Sequence, residues 1–191
     1  FDLTGATVEV GDCGALTPSE ICQIVMAVNT LGFGVVRHGQ HHDDRKQLIG
    51  LRDIFGSITG HKRAAQDGIA AIARSTEFPG YYGTSSGPHP VHTDGAFDDL
   101  PPRFAALQCV APAATGGHTQ LVSGIAIYRA IGARSPAALA SLFNSSALTV
   151  CRDGQMCSAP VLSRNGSSVH IRFRDDDTAT FTGGVDLADG V

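Results

Sequence analysis

Lysine is nearly missing from this chain: Lys46 and Lys62 are the only two in 191 residues. Arginine does not make up a basic block, the net charge is −4, and charged residues are only 17% of the total. A nucleic-acid backbone or an anionic membrane surface therefore finds no electrostatic footprint here. Long apolar runs are missing as well, and none approaches the ~20 residues that a bilayer-spanning helix needs. No charged segment followed by an apolar one opens the chain, so no secretory leader is visible. Because the first residue is Phe1 and not Met, the native N-terminus is expected upstream. Metal-finger and disulfide spacings are also lacking: Cys13, Cys22, Cys109, Cys151 and Cys157 form no C-x-x-C pair. An odd, scattered set reads as reduced thiols, and the expected compartment is the cytoplasm. Cys22, on a helical face, and Cys109, in the apolar run FAALQCV, are expected in the core. No internal repeat or low-complexity segment appears.

What is present suits one domain over residues 1–191. A chain of this length can bury a substantial core, and 42% hydrophobic content is ordinary for a globular fold. Thr17-Pro18-Ser19-Glu20 is a capping box with proline at the first helical position. Ile21, Ile24, Val25 and Val28 follow at helical spacing, and Gly32 ends the helix. Phe33 to Val36 reads as a short strand. A second helix is expected from about Asp44 to Phe55 and a third, alanine-rich one around Arg63 to Arg74. Gly80 to Pro90 is a loop by composition. After Gly124, two short helices break near Ser135-Pro136. Strands are expected at Ala147–Arg152, Ala159–Ser163 and Ser168–Arg174, the last two joined by the hairpin signal Arg164-Asn165-Gly166. The class is α+β. Short strands after helices suit a double-stranded β-helix, or jelly roll, with N-terminal and inserted helices.

Chemistry concentrates in PHPVHTDGAFDDLPPRFAALQCVAPAATGGHTQLVSG, residues 88–124. His92 and Asp94 stand two apart in an apolar, strand-like setting, and on a strand such residues share a face. A neutral imidazole and a carboxylate are two-thirds of the facial triad that holds non-haem Fe(II) with open positions. Spacing alone carries little, since 8 His and 15 Asp in 191 residues give about 0.6 such pairs by chance. Two further pairs, His41/Asp43 and His42/Asp44, sit in HGQHHDDRKQ, where solvated polar residues feeding a helix start are the expectation. His92/Asp94 differs in its neighbours: Val91 before it, the turn-forming Gly95 after it, and Phe97 placed either to wall a pocket or to join the core.

These residues resemble the core of the TauD/TfdA (taurine dioxygenase-like, clavaminate synthase-like) family of Fe(II)- and 2-oxoglutarate-dependent oxygenases. The resemblance rests on the HTDGAF strand, the PPRFAALQC strand, an apolar V-x-P and a GG-x-T turn before a helix. It is close over about 40 residues and looser through much of the chain. It implies that His92 and Asp94 are Fe(II) ligands and that the Thr119 hydroxyl bonds a carboxylate of 2-oxoglutarate. The partners it implies are O₂ and a small-molecule substrate, such as an amino acid or a natural-product intermediate. With a carboxylate at Asp94, and not a small residue that would leave room for halide, hydroxylation or desaturation is the expected outcome.

The family's distal His ligand, and the Arg that follows it to pair with the far carboxylate of 2-oxoglutarate, are not identifiable in this sequence. The resemblance puts them beyond Val191, so C-terminal strands are expected to be lacking here. His170 is the alternative third ligand, in a cupin-type metal site without 2-oxoglutarate. An inactive jelly-roll binding protein is the other alternative. Arg172 and Arg174 are expected on the same strand face as His170, where Arg174 either meets a substrate carboxylate or pairs with Asp175 to Asp177.

Overall fold

A computed structural model describes residues 3–39, 44–60, 63–77, 81–85, 87–152, 154–166 and 168–182. Helices and strands mix throughout, as α+β. The chain divides into two compact units, Phe1–Ala71 with Phe104–Gln120, and Ile72–Arg103 with Leu121–Val191.

The first unit is built around a strand–helix–strand crossover. Strand β1 (Thr7–Val10) pairs in parallel with β2 (Val35–His38), with Thr7 opposite Val35 and Val10 opposite His38. Helix α1 (Pro18–Leu31) connects them, as parallel pairing requires. Its start is the expected capping box: Thr17 Oγ1 accepts from Glu20 N–H, and the Glu20 carboxylate accepts from Thr17 N–H. Its end is Gly32, whose φ of 82° is a left-handed cap that a side chain would disfavour. Ile24 faces inward with Val8, Val10 and Cys13, and Leu16, Val36, Leu51, Ile54 and Phe55 close over them. The helix expected over Asp44–Phe55 is present as α2 (Asp44–Gly50) and α3 (Arg52–Phe55), broken at Leu51. Buried Gln47 accepts the Cys13 N–H through Oε1 at 2.8 Å.

The second unit holds two helices and a set of antiparallel strands. α4 (Gly124–Arg134) and α5 (Pro136–Ser141) meet at Ser135, which caps α5 ahead of Pro136. Then come β3 (Leu148–Arg152), β4 (Gln155–Ala159), β5 (Leu162–Asn165), β6 (Ser168–Ile171) and β7 (Ala179–Phe181). β3 is central between β4 and β7, and β5 and β6 form a hairpin with Asn165 opposite Ser168. Leu142, Ala147, Leu148, Val150, Val161 and Leu162 are the core, and Phe97, Tyr128 and Phe181 pack against it.

Several expectations are corrected. The strand expected at Ala159–Ser163 is the end of one strand and the start of the next, separated at Pro160, which has no N–H to continue a ladder. The first short strand lies two residues later than expected, at Val35–His38. No helix forms around Arg63 to Arg74. There Gly68 turns the chain at φ 81°, and the Asp67 carboxylate accepts from Ile69 N–H, a local bond that competes with a helix. The PPRFAALQC segment is not a strand: Phe104 and Leu107 are 44% and 66% exposed, and no described strand pairs with it. Cys109 and Cys22 are exposed, not core, while Cys13 is the buried thiol.

Candidate metal centre

The site lies in the second unit, where the chain leaves a loop and turns. His92 makes a single antiparallel bridge with Arg174. The intervening residue fastens it: Thr93 N–H donates to the Phe173 carbonyl at 2.8 Å, and Phe173 N–H donates back to Thr93 Oγ1 at 3.0 Å. The chain then turns at Gly95, whose carbonyl accepts from Asp98 N–H. Arg172, just past β6, reaches the carbonyls of Ala96 and Asp99 and holds this turn from the other side. His92 is extended and Asp94 opens the turn, so their side chains leave on one side.

They converge. His92 Nε2 stands 3.4 Å from Asp94 Oδ1. His92 Nδ1 lies 2.8 Å from the Pro90 carbonyl oxygen. A carbonyl only accepts, so Nδ1 carries the proton and the lone pair of the neutral ring is on Nε2. Two electron-rich atoms thus face each other, and either a second proton or a cation belongs between them. The hydrogen bond to Asp94 raises the His92 pKa, against the effect of burial, with the Pro90 carbonyl adding to it. The donor set also fits a divalent ion. Two ligands at about 2.1 Å from one ion, the distance tabulated for nitrogen and oxygen on zinc, lie ~3.4 Å apart at a near-tetrahedral angle and ~3.0 Å apart at an octahedral one.

The surroundings of His92 are aromatic. His89 stacks on it with centroids 3.9 Å apart and planes at 22°, and Tyr82 stacks behind His89 at 5.2 Å and 16°. Burial, with the charges of His92 and Arg174 adding to it, lowers the His89 pKa. Reading GYYGTSSGPHP only as a loop misses this stack; its signal was the density of ring side chains just before His92.

Thr119 belongs to the first unit, in an exposed stretch after Gly116 and Gly117, both at φ 71°. Phe97 packs against the core of the second unit. Arg174 is 6% exposed, and its guanidinium pairs with Asp176 and donates to Thr178, so the carboxylate it holds is the protein's own. His170 is exposed on β6 opposite Ser163 and does not join His92 and Asp94; among the described residues no three His, Cys, Asp or Glu side chains form a metal-holding group. The cupin-type trio is thereby corrected: alternation along β6 turns His170 outward. The pairs His41/Asp43 and His42/Asp44 lie outside the described residues, apart from the backbone of Asp44. Among the described residues no helix is long and apolar enough to cross a membrane.

No curated protein and no solved structure matches the chain. A family model does, described as "Taurine catabolism dioxygenase TauD, TfdA family", and it matches residues 2–178. Members of that family depend on Fe(II) and 2-oxoglutarate. The match takes in His92, Asp94, Thr119 and nearly all of the described structure, and the chain belongs to the TauD/TfdA dioxygenase family.

Proposed function

We propose that the protein is an Fe(II)- and 2-oxoglutarate-dependent dioxygenase that hydroxylates or desaturates a small molecule, such as an amino acid or a natural-product intermediate. The observation that carries this reading is the convergence of His92 Nε2 and Asp94 Oδ1 at 3.4 Å in a chain of this family. When bound, iron with 2-oxoglutarate and O₂ supplies the oxidising power, releasing succinate and CO₂ as a substrate C–H bond is oxidised.

The chain's own residues supply position and charge. His92 presents Nε2 as a neutral donor because Nδ1–H is committed to the Pro90 carbonyl. Asp94 offsets one of the two charges of the ion. The Thr119 hydroxyl donates to a carboxylate of 2-oxoglutarate, in a stretch where the two preceding glycines let backbone approach closely. Phe97 shapes the site from the core side, and Arg174 acts through the backbone bridge to His92. A double-stranded β-helix forming one oxygenase domain is part of this reading, supported by the antiparallel strands of the second unit and by the family. A cytoplasmic location is supported by the five free thiols.

The test is an anaerobic titration with Fe(II) and 2-oxoglutarate, followed by the weak visible charge-transfer band of the chelated cofactor. A band in the wild type that disappears in His92→Ala and Asp94→Ala is the expected result. Its absence from the wild type at millimolar cofactor sinks the proposal for this chain.

A further inference from the structure

We propose that His89 is a positioning residue, whose ring, backed by Tyr82, is the platform that fixes the plane of the His92 imidazole and so aims Nε2 at Asp94. The inference rests on the reading of His92 as a metal ligand, and its test is separable from that reading.

The terminal torsion of a histidine joins sp³ to sp² carbon, so its preference is broad and does not by itself set the ring plane. The hydrogen bond from Nδ1 to the Pro90 carbonyl fixes one edge of the ring but leaves it free to swing about that bond. The backbone on either side is fixed by the bridge to Arg174 and the Thr93–Phe173 pair. What remains is rotation of the ring, and His89 blocks it by lying face to face at 3.9 Å and 22°. His89 in turn is held by Tyr82, at 16° between planes. The three rings form one stack that ends on the donor. His89 offers its face to His92, not a nitrogen, which distinguishes a platform from a further ligand.

The experiment reads the His92 tautomer in the metal-free full chain by long-range ¹H–¹⁵N NMR, at a pH where the rings are neutral, with His92→Ala assigning the signals. Wild type and His89→Phe are expected to show a fixed Nδ1–H tautomer, because phenylalanine preserves a flat face. His89→Ala is expected to show averaging between tautomers. A fixed tautomer in His89→Ala overturns the proposal, as does averaging in the wild type. Averaging in His89→Phe equal to that in His89→Ala also overturns it, since the effect then needs an imidazole and not a face. Should His89→Ala fail to fold, Tyr82→Leu, which removes the backing ring, decides by the same spectrum: averaging supports the platform and a fixed tautomer overturns it. A parallel anaerobic Co(II) titration tests the metal reading separately. Loss of a positioning contact is expected to weaken Co(II) binding by about 10-fold or more in His89→Ala, with His89→Phe close to wild type. Equal Co(II) affinity of wild type and His92→Ala sinks the ligand reading while the tautomer result stands.

Discussion

Thr93 and Phe173, 80 residues apart, share three hydrogen bonds: Thr93 N–H and, at 3.4 Å, the Thr93 hydroxyl donate to the Phe173 carbonyl, and Phe173 N–H donates to the Thr93 hydroxyl. One residue of the His-Thr-Asp motif thus ties the site to the chain after β6, while its two neighbours present imidazole and carboxylate.

Replacing the hydroxyl by a methyl, as in Thr93→Val, keeps the shape and leaves the Phe173 N–H without its acceptor. A part-buried donor left unsatisfied costs about 1–2 kcal/mol, which urea unfolding would read as a lower midpoint with unchanged slope. Because the motif backbone is loosened, Fe(II) affinity should fall in the same variant. A stability loss with undiminished affinity would mean that the lock is structural only and does not position His92 and Asp94.

The start of α1 depends on a reciprocal pair. Thr17→Ala removes the oxygen that receives Glu20 N–H at 3.3 Å, and loss of such a cap costs about 1 kcal/mol. Thr17→Ser keeps the acceptor and should stay within a few tenths of that value of wild type. Thermal unfolding of the two variants checks it, and equal melting temperatures for both would remove the cap from the account.

That cap shows which parts of the fold are legible in a sequence. The Thr17–Glu20 box, the Gly32 stop, the Ser135-Pro136 break and the Asn165-Gly166 hairpin are all local: neighbours in sequence supply the partners. The segment from Phe104 to Val110 reads as a strand from its apolar residues, yet a strand needs a ladder partner that local residues do not supply. Arg63 to Arg74 fails as a helix for the opposite reason. Its alanines favour one, but the Asp67 side chain satisfies the Ile69 N–H and takes Arg45 as an ion-pair partner. At the site, His92 and Asp94 were legible because two-residue spacing on extended chain makes them share a side. Tyr82 and His89 were not, since loop geometry alone brings their rings to His92.

The core of the second unit is centred on β3. Leu148 is 1% exposed and sits between Ala159 on β4 and Phe181 on β7. Leu148→Ala should destabilise by about 2–5 kcal/mol, the sum of lost transfer energy and the cavity left behind. Leu148→Ile conserves volume and should cost less than about 1.5 kcal/mol. Chemical denaturation of both variants gives the comparison, and a small effect of the alanine change would mean that this strand is not the centre of the core.

The last prediction concerns acid. Asp176 has a side chain only 2% exposed, and Arg174, beside it, bridges His92 through the backbone. Burial alone would raise the Asp176 pKa, but the Thr178 hydroxyl and N–H and the Arg174 guanidinium outweigh it and hold the carboxyl below its ordinary value. A carboxylate whose folded pKa is depressed adds stability that is complete above the unfolded value, about 3.9. That stability is lost as pH falls from there through the folded pKa, because the unfolded chain takes up the proton first. Asp176→Asn removes the charge at every pH and leaves the Arg174 guanidinium buried without its counter-ion. The variant should therefore melt well below wild type at pH 7, and the gap should narrow progressively below about pH 4 as wild type loses the same charge. Thermal unfolding of both proteins across that range is the measurement. A gap that stays constant from pH 7 to pH 3 would show that the pair contributes through packing and not through charge.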